Sequence, residues 1–580
     1  MDGRLIRPLG EHPLIILSRR LIARFKALYY TSKLHRLRLK GRQPLKLLAS
    51  PNYPFAGEAQ AGAEILTGVF SHAGHSQKTT DTNTDKNPWP DTSNSPEMFH
   101  NWLYGFSWLN DLDGMADRRM AQEKAEAVVS HWVERNKSWS GRSWQPEIIG
   151  ERIISWVFHA PLILSSSDLV YRSRVMNSLL QQARHLSYVV ATAPLGVPRV
   201  KASIGLAVSG LLIPDGEDRY KKGLRVLEKT LAAFILPDGG VASRNPRDGM
   251  NVLRLLIILK TAIDEQQRES PPWLQFSCDK LVPFLKALSH GDGGFANFGG
   301  AFSNDSADLK DAAQLSDAKG RASNNLPFSG YQRMKCASTQ VLFDVGTPPE
   351  PMLSRAAPAN ALAIELSDGN DRIIVGLGGT FAGYQGGEDP ANVQNWARKT
   401  KSHSTMCIDE NNSSTIHYGK AIPPEHFETM FERNESPDGI WVDATHDGYK
   451  KRLKTRHTRR LFLNADGSDL RGEDTVKRSV LGLAKYFTSK DPLGIQIRFH
   501  IHPLVSLSPN QVGNAIILRL PHGHGWLFQA KGGHVKIEDT VYSAKPDDIK
   551  KSSQIIIEGK LGIDQTLQFK WSLKRMDQRE

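Results

Sequence analysis

The chain has 580 residues, 39% apolar and 23% charged, with 48 glycines, 32 prolines and only 3 cysteines. Those proportions exclude a collagen-like repeat, a disulfide-stapled small scaffold and a wholly disordered chain. Its 74 basic and 61 acidic residues leave a net charge of +13, yet residues 1–48 hold twelve Lys/Arg against two acids. A net +10 therefore sits in that segment and +3 in the other 532 residues, so segment and body need separate explanations.

From Leu14 to Arg42, apolar residues recur at helical spacing with Arg and Lys between them, the pattern of a basic amphipathic helix. Such a helix either touches anionic lipid or a polyanion, or packs on the body with its basic face solvated. The run Leu14–Leu17 is too short for the apolar core of a secretory signal, which points to the cytoplasm. No 18-residue apolar run exists to cross a membrane. Residues 49–95 read as a polar linker region, since 76–97 are crowded with Ser, Thr, Asn, Asp and Pro.

From residue 96 to 289 the period is helical. Phe99, Trp102, Leu103, Phe106 and Leu109 mark one apolar face. Further helices are expected at about 117–135, 146–164, 168–193, 199–213, 217–235, 248–266 and 272–289, parted by Pro- and Gly-containing breakers. Helix pairs of this length, so briefly linked, make an all-α array. Residues 290–326 are glycine-rich and then polar, and read as a connection between domains. After Phe328 the period becomes two, with Asp-Gly turns at 368, 447 and 466. Many short strands without interleaved helices predict an antiparallel β-sandwich over 327–580. Helices followed by strands give a multidomain α and β chain. Cys278, Cys336 and Cys407 have neither zinc-site nor disulfide-framework spacing.

Several strings carry a resemblance. They are Arg152-Ile-Ile-Ser-Trp156, Pro237-Asp-Gly-Gly240 with Arg244-Asn-Pro246, and His290-Gly-Asp-Gly. Later come His403-Ser-Thr405, His446-Asp-Gly-Tyr449, His457-x-Arg459-Arg460 and Phe499-His500-x-His502-Pro503. With the helix-then-strand order, about residues 95–575 resemble the heparinase II/III family of polysaccharide lyases. The resemblance implies an N-terminal (α/α) toroid, a C-terminal β-sandwich, and β-elimination on a uronate-containing polysaccharide. It also implies a periplasmic or envelope address, against the cytoplasmic reading of the N-terminus.

A lyase must neutralise the uronate carboxylate, remove the neighbouring carbon-bound proton and protonate the leaving oxygen. No metal or other cofactor is required for that route. On the resemblance, His403, His446 and Arg244 are the candidate catalytic residues. Arg199, Lys201, Tyr331, His457 and Arg459 are the candidate substrate contacts, with sandwich core as the competing role for Tyr331. The run Lys450–Arg460 carries eight basic residues in eleven and reads either as a solvated strand or as the lining of a polyanion groove. Where active relatives carry Asn-His and Tyr in the toroid, this chain has Val197-Pro198 and Asp248. The second His of a His-x-His pattern is Thr405, so a divalent metal in the sandwich has no support from the sequence. His500 and His502 share a strand face at metal-ligand spacing but lack a third ligand.

Two expectations follow. One is a carbon–oxygen lyase acting on an acidic polysaccharide. The other is a catalytically altered relative that binds or processes cell-surface polysaccharide without cleaving it. No nucleic acid is expected as a partner, and peripheral contact with an anionic membrane would fall to residues 1–48.

Overall fold

A computed structural model describes residues 28–41, 46–79, 88–137, 139, 141–350, 352–353, 356–380, 396–416, 427–480, 491–509, 515–522, 525–546 and 548–576. These residues form two compact units. One comprises Met1–Thr230 and Leu255–Pro271, the other Leu231–Arg254, Pro272–Tyr418 and Glu425–Glu580. Most of the basic segment lies outside the described residues. No helix among those described is long and apolar enough to cross a membrane.

The first unit is helical. Asp117 caps Arg118–Arg135 by accepting from the Met120 N–H, and Asp168 caps Leu169–Val189 through Val170 and Tyr171. Pro146 opens Pro146–Phe158, where a missing N–H costs nothing. That helix packs against Glu97–Gly105, Leu169–Val189 and Val197–Leu212. Its contact with Val197–Leu212 depends on paired glycines, since a β-carbon on Gly205 would lie 2.4 Å from the Gly150 α-carbon. Arg152 is fully buried in the helix, donating to Gln182 Oε1 (2.6 Å), the Tyr104 carbonyl (2.7 Å) and the Ser143 carbonyl (2.9 Å). Its guanidinium lies 4.2 Å from the Trp132 ring centroid, and burial pushes its pKa down to about 9. The Arg152-to-Trp156 string is thus a packing element.

The expected helices form within a few residues of their sequence bounds, the run expected at 146–164 being split at His159. The polar region before them holds structure that periodicity did not reveal: the helix Ala59–Leu66 and the hairpin Val69–His72/His75–Lys78. A four-residue strand is too short to display a period. Of the basic segment, Lys33–Leu39 is a helix whose His35 and Leu39 are buried. His35 Nε2 meets His185 Nδ1 at 3.0 Å, and Arg184 donates to the Leu39 carbonyl, so this stretch packs on the body.

The second unit carries two antiparallel sheets. The eight-stranded sheet runs Ser506–Pro509, Ala515–Arg519, Gly525–Lys531, Thr566–Met576, Asp469–Arg478, Thr455–Asn464, Gly439–His446, Thr429–Ser436. In the nine-stranded sheet, His534–Ser543 and Ile549–Leu561 lead to the central Leu493–Ile501, then Asp371–Val375, Ile364–Asp368, Thr339–Asp344, Tyr331–Cys336 and Asn325–Leu326, with Met406–Ile408 also on Leu493–Ile501. One apolar core joins them, including Ile364, Ile497, Phe499, Leu461, Phe528 and Trp571. Each such side chain contributes roughly 1.5–3 kcal/mol by leaving water. The sandwich read from the period-two pattern is therefore present. Tyr331–Cys336 and Thr339–Asp344 form a hairpin turning at Ala337, whose φ is 48°.

Candidate functional site

His403 follows the 3₁₀ turn Thr400–Ser402 and is 1% exposed. Burial lowers its pKa to about 4, so the ring is neutral. A carbonyl only accepts, so Nε2–H donates to Ala397 O at 2.9 Å and Nδ1 keeps the lone pair. Nδ1 is enclosed against Gly376, where a β-carbon would come within 3.3 Å of it.

Beside it stands a buried carboxylate that the sequence reading passed over. Glu365 Oε1 accepts from the backbone N–H groups of Asn297 and Gly376, each at 2.9 Å, and Oε2 meets His290 Nε2 at 2.9 Å. His290 Nδ1 lies 2.9 Å from the Ser367 hydroxyl. Arg372 grips Asp292 through Nε and Nη2 and reaches the Phe295 carbonyl. One acid inside the otherwise apolar run Ala361–Leu366 was the available signal.

His446, His457 and Arg459 face inward from the eight-stranded sheet, each at most 1% exposed. They form a directed chain. The Gly448 N–H donates to His446 Nδ1 (3.2 Å), His446 Nε2 meets His457 Nδ1 (3.3 Å), and His457 Nε2 meets Asp474 Oδ1 (2.7 Å). Arg459 binds Asp474 through Nε and Nη2, and Trp571 Nε1 donates to Asp474 Oδ2 at 2.8 Å. Burial alone would raise the Asp474 pKa, but Arg459 and His457 outweigh it and hold the carboxyl below its usual range. Both imidazoles are pushed down, first by burial and also by nearby Arg459. Strand alternation thus splits the Lys450–Arg460 run, sending His457 and Arg459 into the core and leaving Arg456 and Arg460 exposed.

Arg244 does not face an open cleft. It donates through Nε to the Ser329 carbonyl (2.7 Å), through Nη1 to the Thr347 carbonyl (3.0 Å), and through Nη2 to Gly330 O and Asp344. Its guanidinium lies 4.6 Å from the centroid of Tyr331, whose hydroxyl donates back to the Arg244 carbonyl at 2.6 Å. Tyr331 is fully buried and stacked on Phe298, the core role. In the first unit, Arg199 Nε donates to the Ala193 carbonyl at 2.8 Å and Lys201 pairs with Glu151. Val197 and Pro198 form the first turn of Val197–Leu212. Asp248, in the second unit, lies in the first turn of Pro246–Glu265, its carboxyl raised by burial.

Among the described residues there is no group of three His, Cys, Asp or Glu placed to hold a metal ion. The Thr405 hydroxyl donates to the Ala361 carbonyl, and His500 Nε2 meets the Lys401 carbonyl.

A helical N-terminal region followed by this antiparallel domain is the heparinase II/III fold. Residues 318–572 match the family described as "Heparinase II/III-like, C-terminal". The chain is similar to the crystal structure of heparinase III, with a TM-score of 0.69 and 14% identity over 94% of this chain and 89% of that one. It is also similar to a mutant heparan sulfate lyase HepC from Pedobacter heparinus, with a TM-score of 0.62 and 16% identity over 98% and 92%. Among curated proteins it matches "FtsZ-localized protein C" of Caulobacter vibrioides, 27% identical over 558 residues, 95% of this chain and 94% of that protein. At such identities the solved structures define the fold.

Proposed function

We propose that this chain is a heparinase-fold protein that binds an acidic saccharide without cleaving it, and that it works in cell division alongside FtsZ. The observation that carries the reading is the state of the groups that would have to move protons. His403, His446 and His457 are buried, neutral and hydrogen-bonded inside the protein, and Arg244 spends its donors on Asp344 and three carbonyls. Val197, Pro198 and Asp248 stand where the lyase resemblance calls for Asn, His and Tyr. β-Elimination needs a base, an acid and a carboxylate neutraliser around one sugar ring, and proton transfer requires hydrogen-bond reach.

The ligand class is supported by the fold. The setting is supported by the Caulobacter relative, named for its location with FtsZ and matched along nearly its whole length. Two measurements test the reading. Incubation of the purified chain with heparin, alginate and polygalacturonate should yield no unsaturated product, and its appearance would overturn the non-lyase assignment. Sedimentation with assembled FtsZ should carry the chain into the pellet, and retention in the supernatant would remove the division setting.

A further inference from the structure

We propose that residues 28–41 form a strap latched onto the helical unit by a pair of buried imidazoles, His35 and His185, and that proton uptake by this pair releases it.

The strap carries the helix Lys33–Leu39, which lies against Leu169–Val189. His35 Nε2 stands 3.0 Å from His185 Nδ1, and both residues are 1% exposed. The Tyr30 ring lies 5.0 Å from each imidazole, and Tyr29, Tyr188 and Trp144 pack around the contact. Further ties are the bond from Arg184 to the Leu39 carbonyl and the Arg38 guanidinium 5.2 Å over the Tyr188 ring. Leu28, Leu34 and Leu37 are exposed, so the apolar anchorage falls to Leu39 and the aromatic rings. The imidazole pair therefore sits at the centre of what holds the strap down.

This contact has no place for an added proton. His35 Nδ1 is buried without a hydrogen-bond partner, and an orphaned N–H there would carry its full desolvation cost. The shared bond accordingly runs from His35 Nε2–H to the His185 Nδ1 lone pair. A proton added to His35 goes to Nδ1, where nothing accepts it. A proton added to His185 takes Nδ1, and two N–H groups then face each other across the contact. The surrounding charges oppose protonation as well. Lys33, Arg36 and Arg38 stand on the strap helix, Arg184 on Leu169–Val189, and Arg142 in the turn Gly141–Trp144. Arg152 of Pro146–Phe158 is held by Gln182, and Glu151 of that helix pairs with Lys201. Among the described residues no carboxylate acts on either ring. Burial, and then Arg38, lowers the His35 pKa; burial, and then His35, brings His185 down to about 3. In water both rings titrate near 6.5. The released pair thus binds up to two protons that the latched pair excludes, so acid favours release. Below pH 6.5 the opening equilibrium rises by up to about 100-fold per pH unit. Release frees Lys33, Arg36, Arg38 and Lys40, with no acid among residues 28–41, and uncovers Tyr188 and Trp144.

The test uses the full chain and hydrogen–deuterium exchange read by mass spectrometry, with labelling times scaled for the pH dependence of intrinsic exchange. From pH 6 to pH 5, protection of residues 28–41 should fall roughly 60-fold while that of Leu169–Val189 holds. The second reading separates release of the strap from acid unfolding of the whole unit. H185Q can still accept from His35 but leaves one titrating ring, so the fall should shrink to roughly eightfold. A chain carrying both H35Q and H185Q should show no pH dependence in the strap. Unchanged protection of residues 28–41 in the wild type overturns the latch. An equal fall in the wild type and the double variant also overturns it, because other groups would then take up the protons. Loss of protection in Leu169–Val189 in step with the strap overturns it too, since the response would then belong to unfolding.

Discussion

Arg244 and Asp344 form a buried ion pair with 2.5 Å between Nη2 and Oδ1, their side chains 10% and 1% exposed. Asn360 Nδ2 and the Gly346 N–H also donate to Asp344, so the carboxylate is fully engaged. Arg244 holds a left-handed backbone, φ 56°, and clasps the turn at Ser329–Gly330 to the loop at Thr347.

Removing one partner of such a pair leaves the other charge buried and alone, a cost of about 3–5 kcal/mol. R244A should therefore destabilise the chain by that amount in urea unfolding followed by far-UV circular dichroism. R244K should recover only part of the loss, because an ammonium cannot reach three carbonyls and a carboxylate in one plane. A loss below about 1 kcal/mol in R244A would show the clasp to be dispensable.

Acid should weaken the fold well before carboxylates titrate. Burial lowers the His403 and His502 pKa values to about 4 and that of His500 to about 3. An unfolded histidine titrates near 6.5, so the unfolded chain binds more protons below that value. The stability these groups contribute is complete above about pH 6.5 and drains as pH falls towards 4. His403 alone accounts for roughly 3 kcal/mol across that window, as an upper bound. H403Q, which can still donate to the Ala397 carbonyl, should show a visibly shallower fall in urea midpoint between pH 6.5 and 4.5. Identical slopes would rule out His403 as a contributor.

Glu365 offers a sharper contrast. Its Oε1 accepts from two buried backbone N–H groups, and each orphaned donor costs about 1–3 kcal/mol. E365A should lose about 3–5 kcal/mol. E365Q keeps Oε1 and requires only that His290 change tautomer, so its cost should stay near 1 kcal/mol. Equal losses in the two variants would mean that charge, and not acceptor geometry, is what the site needs.

How much of this was legible in the sequence follows from the length scale of each signal. The long helices and the shift to period two at Phe328 were readable because many residues repeat the same choice. Thr429–Ser436, Asp469–Arg478 and His534–Ser543 show no clear period of two, because Arg433, Gly472, Asp474, Arg478 and Asp539 stand on the face where apolar residues would mark the alternation. The candidate residues were legible as chemistry and not as place. His457 and Arg459 were named for a basic run, yet alternation within Thr455–Asn464 turns them into the core beside Asp474. Arg244 read as a free cation because its partner Asp344 lies 100 residues away. Trp441 and Phe462 could be paired only once the strand register was known.

Gly472 tests whether the buried histidine chain needs its tryptophan. It is the cross-strand partner of Trp571, and a β-carbon there would lie 2.1 Å from the indole ring. Neither β-strand backbone can retreat without breaking its ladder, so in G472A the ring itself must move. Overpacking of this kind costs about 1–3 kcal/mol. Displacing the indole also removes the Nε1–H bond to Asp474 Oδ2, leaving the carboxylate to Arg459 and His457. G472A should thus destabilise more than the packing term alone and should change the near-UV circular dichroism of the folded chain. In W571F, which removes the N–H but keeps an aromatic ring, Gly472 gains room, so adding G472A to W571F should cost less than adding it to the wild type. Strict additivity of the two substitutions would show that they act independently and that the indole does not link Gly472 to Asp474.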